Sequence, residues 1–333
     1  MLLTMQAQAH SPAFIQHHVA NPAQVRAELQ AGLLATAAST SPKYLYDALG
    51  SRLFEAITEL PEYYPTRVEA SIFAQHLNAM AAAIGTGHTL IDLGAGNCEK
   101  AARMFNALQP KHYVAVDISV DFLQQSLSTL QRQNPDLPMI GLGMDFSTHL
   151  ELPSDISNRL GSGSRVFFYA GSSIGNFTPT DALPFLRQIH TACKAGSELD
   201  GGLLIGVDLV KESQVLQAAY DDALGVTAAF NRNMLLHINK LLGSDFNIAD
   251  WQHRALFNTE LSRIEMHLDA LQDVTVRWDG GERHFAKGTS IHTENSYKYT
   301  VESFTQLLTD AGFQLVQPWQ DAHQQFAVFW AKA

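Results

Sequence analysis

The sequence predicts an α/β protein, a doubly wound and mostly parallel sheet carrying a second, α+β lobe. Three observations carry that expectation. Between residues 89 and 211, near-continuous apolar runs alternate with helical patterns, as in a parallel sheet covered on both faces. After Lys211 the alternation stops, and helical then hairpin patterns take over for roughly 80 residues. One more helix and a closing strand follow.

Residues 1–40 are rich in Ala and Gln with weak helical periodicity, and they read equally as helices or as a loose arm. From Ser51 to Leu60, Leu53, Phe54, Ile57 and Leu60 share one helical face. In LPEYYPTR, Pro61 and Pro65 fix an irregular segment that displays Tyr63 and Tyr64. Thr66 followed by Glu69 reads as a capping box, so a helix is expected to start there and to run to Gly85 and Gly87. HTLIDLG, HYVAVD, PMIGLGMDF, RVFFYAG and GLLIGVDLV read as five strands. GNCEKAARMFNAL reads as a turn and helix, DFLQQSLSTLQ as a helix, and DALPFLRQIHTACKAG as a helix ending at Gly196. Residues 213–243 look helical, and DVTVRW-DGG-ERHFA is a hairpin signal within short strands over 252–292. SFTQLLTDAGF and QQFAVFWAKA supply the last helix and strand. The expected division is an N-terminal segment 1–65 packing with the second lobe, a core of 66–212 and 297–333, and an inserted lobe of 213–296.

Composition narrows the function classes. A formal net charge of −11, with 22 scattered Lys and Arg, argues against a nucleic-acid backbone or an acidic membrane as partner. Two cysteines, Cys98 and Cys193, make neither a disulfide framework nor a four-ligand zinc site, and they suit a reducing cytoplasm. The N-terminus lacks a basic start followed by an apolar run, and no stretch reaches the roughly 18 apolar residues of a membrane span. A cytoplasmic monomer acting on a small molecule is expected. No metal is expected: His17-His18 lies in the poorly patterned arm, and no HxxxH helix appears.

The chemistry concentrates at strand ends. Gly94 and Gly96, in DLGAGNCEK, let the backbone approach a ligand where the first strand meets its helix. Glu99 stands where a nicotinamide fingerprint needs a third glycine, which argues against a pyrophosphate there. Asp117 ends the second strand and can accept from both hydroxyls of a ribose. Asp145-Phe146 ends the third and can take the amine and the face of an adenine. Each of these is also an ordinary turn residue. Together they fall where open α/β sheets bind ligands, and they suggest S-adenosylmethionine. Lys100 is then placed to meet the methionine carboxylate, its alternative being a solvated helix residue.

Long runs of the chain resemble a known family. SPKYLYDALGSRLFEAITELPEYYPTRVEASIF, DLGAGNCEK, FFYAGSSIGNF, YDDALGVTAAFNRNMLLHINKLLGSDFN, IEMHL and HTENSYKY are similar to the ergothioneine-pathway histidine Nα-methyltransferases, from residue 41 to the end. The resemblance implies a class I methyltransferase core with a substrate lobe, S-adenosyl-L-methionine as donor, and methylation of the α-amine of L-histidine up to hercynine. It implies a donor site at Gly94, Lys100, Asp117, Asp145 and Phe146. It implies an amino-acid site at Tyr63, Asn176, Tyr220, Met266, Glu294 and Ser296, with Tyr64 the alternative to Tyr63, and Tyr46 and Phe54 as aromatic walls.

Methyl transfer from a sulfonium is an in-line displacement in which the protein mainly positions a lone pair. Tyr46 is the candidate for a general base, with water as the alternative acceptor. Asn176, Tyr63 and Tyr220 offer neutral donors to a substrate carboxylate. Glu294 and Ser296 alternate by two, so both face one side and can take up the two nitrogens of an imidazole. GSS at 171–173 lacks the frame of a nucleophile turn, and Cys98 reads as an incidental small residue. The alternatives are methylation of another amino acid such as tryptophan, a nicotinamide dehydrogenase, and a donor-binding module without catalysis.

Overall fold

A computed structural model describes residues 10–16, 21–147, 149–195 and 201–333. The strands are β1 (Ala13–Gln16), β2 (Ala38–Ser39), β3 (Thr89–Leu93), β4 (His112–Asp117), β5 (Met139–Gly143), β6 (Arg165–Tyr169), β7 (Gly202–Asp208), β8 (Trp251–Asn258), β9 (Arg263–Ala270), β10 (Val274–Trp278), β11 (Gly281–Phe285), β12 (Ser290–Tyr297), β13 (Gln314–Gln320) and β14 (Phe326–Lys332). The helices are α1 (Pro22–Leu34), α2 (Ala48–Thr58), α3 (Tyr64–Ile84), α4 (Glu99–Ala102), α5 (Phe105–Leu108), α6 (Val120–Gln133), α7 (Ser154–Leu160), α8 (Pro179–Lys194), α9 (Ser213–Ala218), α10 (Val226–Leu242) and α11 (Val301–Asp310).

The large sheet has the order β1-β5-β4-β3-β6-β7-β14-β13. Its first six strands run parallel, and β14 and β13 close it antiparallel. Strand order reverses at β3, so the switch point of the doubly wound sheet lies between β3 and β6. Every residue of β3, β6 and β7 is buried, which is why these strands read as continuous apolar runs. Leu90, Tyr113 and Val166 pack with α3 to α6 on one face; Ile91, Leu93 and Phe167 pack with α7, α8 and α11 on the other. Each such side chain contributes roughly 1.5–3 kcal/mol by leaving water.

The second layer is the sheet β2-β12-β9-β8 with the hairpin β10-β11, closed by α1, α2, α9 and α10. Ile264, Met266, Leu268 and Ala270 of β9 point into this core at a spacing of two. The hairpin turns at Asp279-Gly280, with Gly280 at φ +83°, as the DGG signal predicts. The α+β lobe and the doubly wound sheet expected from the sequence are both present.

Several local expectations differ from what forms. α3 begins at Tyr64, not Thr66, with Pro65 in its first turn and no side-chain cap. Proline presets the first turn and needs no acceptor for an N–H it lacks. Glu69 is therefore released from capping and turns inward, where it is 1% exposed. GNCEKAARMFNAL forms two short helices, α4 and α5. Strands β1, β2 and β13 were not anticipated. β1 extends the large sheet alongside β5, whereas α1, β2 and α2 pack into the smaller layer. α8 runs to Lys194; the expected stop at Gly196 and the pair His17-His18 lie outside the described residues.

Candidate active site

The glycine turn sits at the switch point. Gly94 and Gly96 have φ of +70° and +52°, and the N–H groups of Gly94 and Ala95 both donate to the Val116 carbonyl, at 2.8 and 3.1 Å. That folds the loop over the end of β4. Asp117 accepts from Gly96 N at one oxygen and from Ser119 N at the other, each at 2.9 Å. Burial raises its carboxyl above the ordinary range, and these backbone donors oppose the rise. A Cβ on Gly94 would lie 3.8 Å from the Phe146 ring, and one on Gly96 would meet nothing within 4 Å. The turn is thus an open cradle bordered by Asp117 and Phe146. Asp145 accepts from Ser147, and Lys43 approaches it at 3.5 Å. Lys100 is half-buried and ion-paired: its Nζ lies 2.6 Å from Glu69, whose other oxygen accepts from Gly171 N at 2.8 Å. A glycine cradle with ribose-type and adenine-type partners and no phosphate grip fits an adenosyl donor.

A small, partly open cleft lies next to Gly171, which adjoins Lys100 of this turn. Tyr63, Asn176, Tyr220, Met266, Glu294 and Ser296 all line it, with Tyr46 and Phe54. They come from separate parts of the chain: Tyr63 precedes α3, Asn176 closes a 3-10 turn after β6, Tyr220 follows α9, Met266 is on β9, and Glu294 and Ser296 are on β12. The 3-10 turn rests against β12 because residue 175 is glycine; a Cβ there would lie 2.8 Å from the Tyr297 carbonyl oxygen. Tyr64 points elsewhere, with its hydroxyl 2.7 Å from both oxygens of Asp208. Rings of Tyr46, Phe54, Tyr63, Tyr220 and Phe230 meet edge-on or tilted at 5.5–6.3 Å and form one wall.

Burial shifts the ionisable groups of the cleft. Burial, opposed in part by Lys298, pushes the Glu294 carboxyl up to about 7. Burial also holds Tyr46, Tyr63 and Tyr220 well above the ordinary phenol range. All three stay protonated near neutrality, which suits hydrogen-bond donors and makes a tyrosinate base unfavourable. Cys98 is buried, and its thiol is pushed up to about 12, so it is not activated.

Sequence reasoning missed three groups behind the wall. Lys298, with no side-chain exposure, pairs with Asp208 at 2.8 Å and donates to Ser296 Oγ at 2.8 Å. Lys298 continues the spacing of Glu294 and Ser296 by one more step, which was the available signal. Asp208 ends β7 as Asp117 ends β4. Glu69 was hidden by its resemblance to a cap. Away from the cavity, Glu265, His267 and His292 bring ligand atoms within 4.8 Å of one another. The two imidazoles stack 4.7 Å apart with planes 19° from parallel, so their in-plane lone pairs do not converge, and Arg263 holds Glu265 at 2.6 Å.

Comparison with known proteins identifies the family. The profile of a family described as histidine-specific methyltransferase, SAM-dependent, matches residues 25–333. A histidine N-alpha-methyltransferase of Mycolicibacterium smegmatis is 36% identical over 310 residues, covering 91% of this chain and 93% of that protein. The protein of the same name from Mycobacterium tuberculosis is 36% identical over 318 residues, covering 91% and 93%. Ergothioneine biosynthesis protein 1 of Schizosaccharomyces pombe is 28% identical over 296 residues, which are 86% of this chain and 38% of that protein.

Proposed function

Because the chain belongs to the histidine-specific, S-adenosylmethionine-dependent methyltransferase family, we propose that it methylates the α-amino nitrogen of L-histidine, up to the trimethylated betaine hercynine, as the first step of ergothioneine biosynthesis. The observation that supports the reading is that Tyr63, Asn176, Tyr220, Met266, Glu294 and Ser296 line one cleft with Gly171, which adjoins Lys100. In this reading Gly94, Lys100, Asp117, Asp145 and Phe146 hold the donor. Bound there, S-adenosylmethionine supplies a methyl carbon already activated by its sulfonium.

The chain's own part is placement. In this reading Asn176 and Tyr63 offer neutral donors to the substrate carboxylate, the Asn176 amide oxygen can accept from the amine, and Tyr220, whose hydroxyl donates to Ser296 at 2.7 Å, lines the cleft beside them. A chain-terminal α-amine has a pKa of ~8, and a free amino acid's own carboxylate raises it further, so a minority neutral fraction is the nucleophile. With Tyr46 held as a phenol, its role is to orient the amine through its hydroxyl oxygen, and water removes the proton. Glu294 and Ser296 take the imidazole. In this reading the ring lies at the β12 end of the cleft, with Glu294 and Ser296, and the amine lies toward Gly171, which borders Lys100.

An amino-acid panel incubated with donor and read by mass spectrometry tests the proposal. L-histidine should gain up to three methyl groups, and tryptophan none. Methylation of another amino acid in preference to histidine would overturn it.

A further inference from the structure

We propose that Lys298 is a positioning residue that sets which substrate side chain is accepted: its ammonium, anchored on Asp208, fills lone pairs of Ser296 and Tyr220, so that this hydroxyl pair presents a hydrogen-bond donor to the cavity. The inference rests on the histidine reading and deepens it.

An ammonium has three N–H donors and no acceptor. Those of Lys298 meet Asp208 Oδ2 at 2.8 Å, Ser296 Oγ at 2.8 Å and Tyr220 Oη at 3.3 Å. All are used within the protein, so Lys298 acts through its neighbours. Ser296 Oγ and Tyr220 Oη lie 2.7 Å apart and share one hydrogen between them. Their second hydrogen has no partner on the ammonium side, and both residues line the cavity. A lone hydroxyl can donate or accept, but a pair loaded by an ammonium from behind offers a donor.

The need for Lys298 is not explained by Asp208. That carboxylate already has Lys211 at 2.6 Å and Tyr64 at 2.7 Å. A second buried cation adds desolvation cost without completing an otherwise unpaired acid. Its use is on the cavity side. Glu294, on the same strand, supplies an acceptor. A donor and an acceptor on one wall match a neutral imidazole, which has one N–H and one bare nitrogen. An indole has the N–H but no bare nitrogen, so it would leave the hydroxyl pair without an acceptor, the kind of mismatch that discriminates strongly.

Lys298→Met removes the ammonium while Asp208 keeps Lys211 and Tyr64. The KM for L-histidine should rise at least tenfold, equivalent to about 1.4 kcal/mol. The Kd for S-adenosylhomocysteine should stay within about twofold, and the KM effects of K298M and S296A should fail to add in the double variant. Lys298→Arg, which keeps charge and donors, should recover part of the loss. Lys211→Met, which strips Asp208 of its other cation but touches no cavity hydroxyl, should leave the KM within about twofold. An unmoved KM in K298M, full additivity with S296A, or a K211M effect equal to that of K298M would each overturn the proposal. Should K298M not fold, K298Q takes its place under the same criteria. A wild-type protein that leaves histidine unmethylated refutes the functional reading itself; normal turnover with an unmoved KM in the variant refutes this inference alone.

Discussion

Glu294→Gln tests the site through stability and through binding together. Glu294 is 8% exposed, and burial pushes its carboxyl from 4.5 up to about 7 against the pull of Lys298. That gap corresponds to roughly 3 kcal/mol at about 1.36 kcal/mol per pH unit. In the unfolded chain the group ionises near its ordinary value, whereas the folded protein holds the proton to about 7. Between those two values the folded state binds more protons, so stability falls as pH rises, and the loss is complete above about 7. Glutamine keeps the shape and removes the charge. E294Q should therefore be more stable than the wild type at pH 8, by up to about 3 kcal/mol or on the order of 5 °C in Tm. At pH 5 the difference should shrink below about 1 kcal/mol. The same variant should bind substrate worse. A hydrogen bond to a charged group is worth roughly 1.5–3 kcal/mol, so the KM for L-histidine should rise at least about tenfold. Calorimetric melting of the ligand-free protein at pH 5 and pH 8, with initial rates at saturating donor, measures both. A Tm difference that does not change with pH would refute the electrostatic reasoning, and a wild-type KM would refute the assignment of Glu294 to the substrate.

Other outcomes follow from the same geometry. Asp117→Ala should weaken S-adenosylhomocysteine binding at least about tenfold by titration calorimetry, since it removes the carboxylate that also holds Gly96 N, and should leave the histidine KM at saturating donor nearly unchanged. Glu69→Ala leaves the Gly171 N–H and Lys100 without their acceptor and should cost about 1.5–3 kcal/mol in denaturant unfolding. Gly175→Ala forces a Cβ to 2.8 Å from the Tyr297 carbonyl, so the turn carrying Asn176 must shift; about 1–3 kcal/mol of stability should be lost and the histidine KM should rise.

The large sheet was legible because β3, β6 and β7 are buried throughout and therefore read as apolar runs bounded by turns. The edge strands were not. β1 and β2 are four and two residues long, and β13, with Leu315 exposed and Pro318 within it, has the composition of a loop. The Thr66–Glu69 pattern misled because a carboxylate three residues after a threonine has the same spelling whether it caps a helix or, as here, bridges Lys100 and Gly171. Gly94 and Asp117 could be read from their places at strand ends. The aromatic and polar residues of the cavity could not be read from periodicity, since Tyr63, Asn176 and Tyr220 stand in irregular segments; only family resemblance singled them out. Between Tyr63 and Tyr64 the choice depended on where α3 begins, which places Tyr64 over Asp208 and Tyr63 on the cavity wall.

The claim that this cavity presents the α-amine of L-histidine to the donor is tested most directly by locating the transferred carbon. Tandem mass spectrometry of the product formed from histidine and deuteriomethyl-labelled donor should place every label on the α-nitrogen. Label on an imidazole nitrogen, or unlabelled histidine after prolonged incubation, would contradict it.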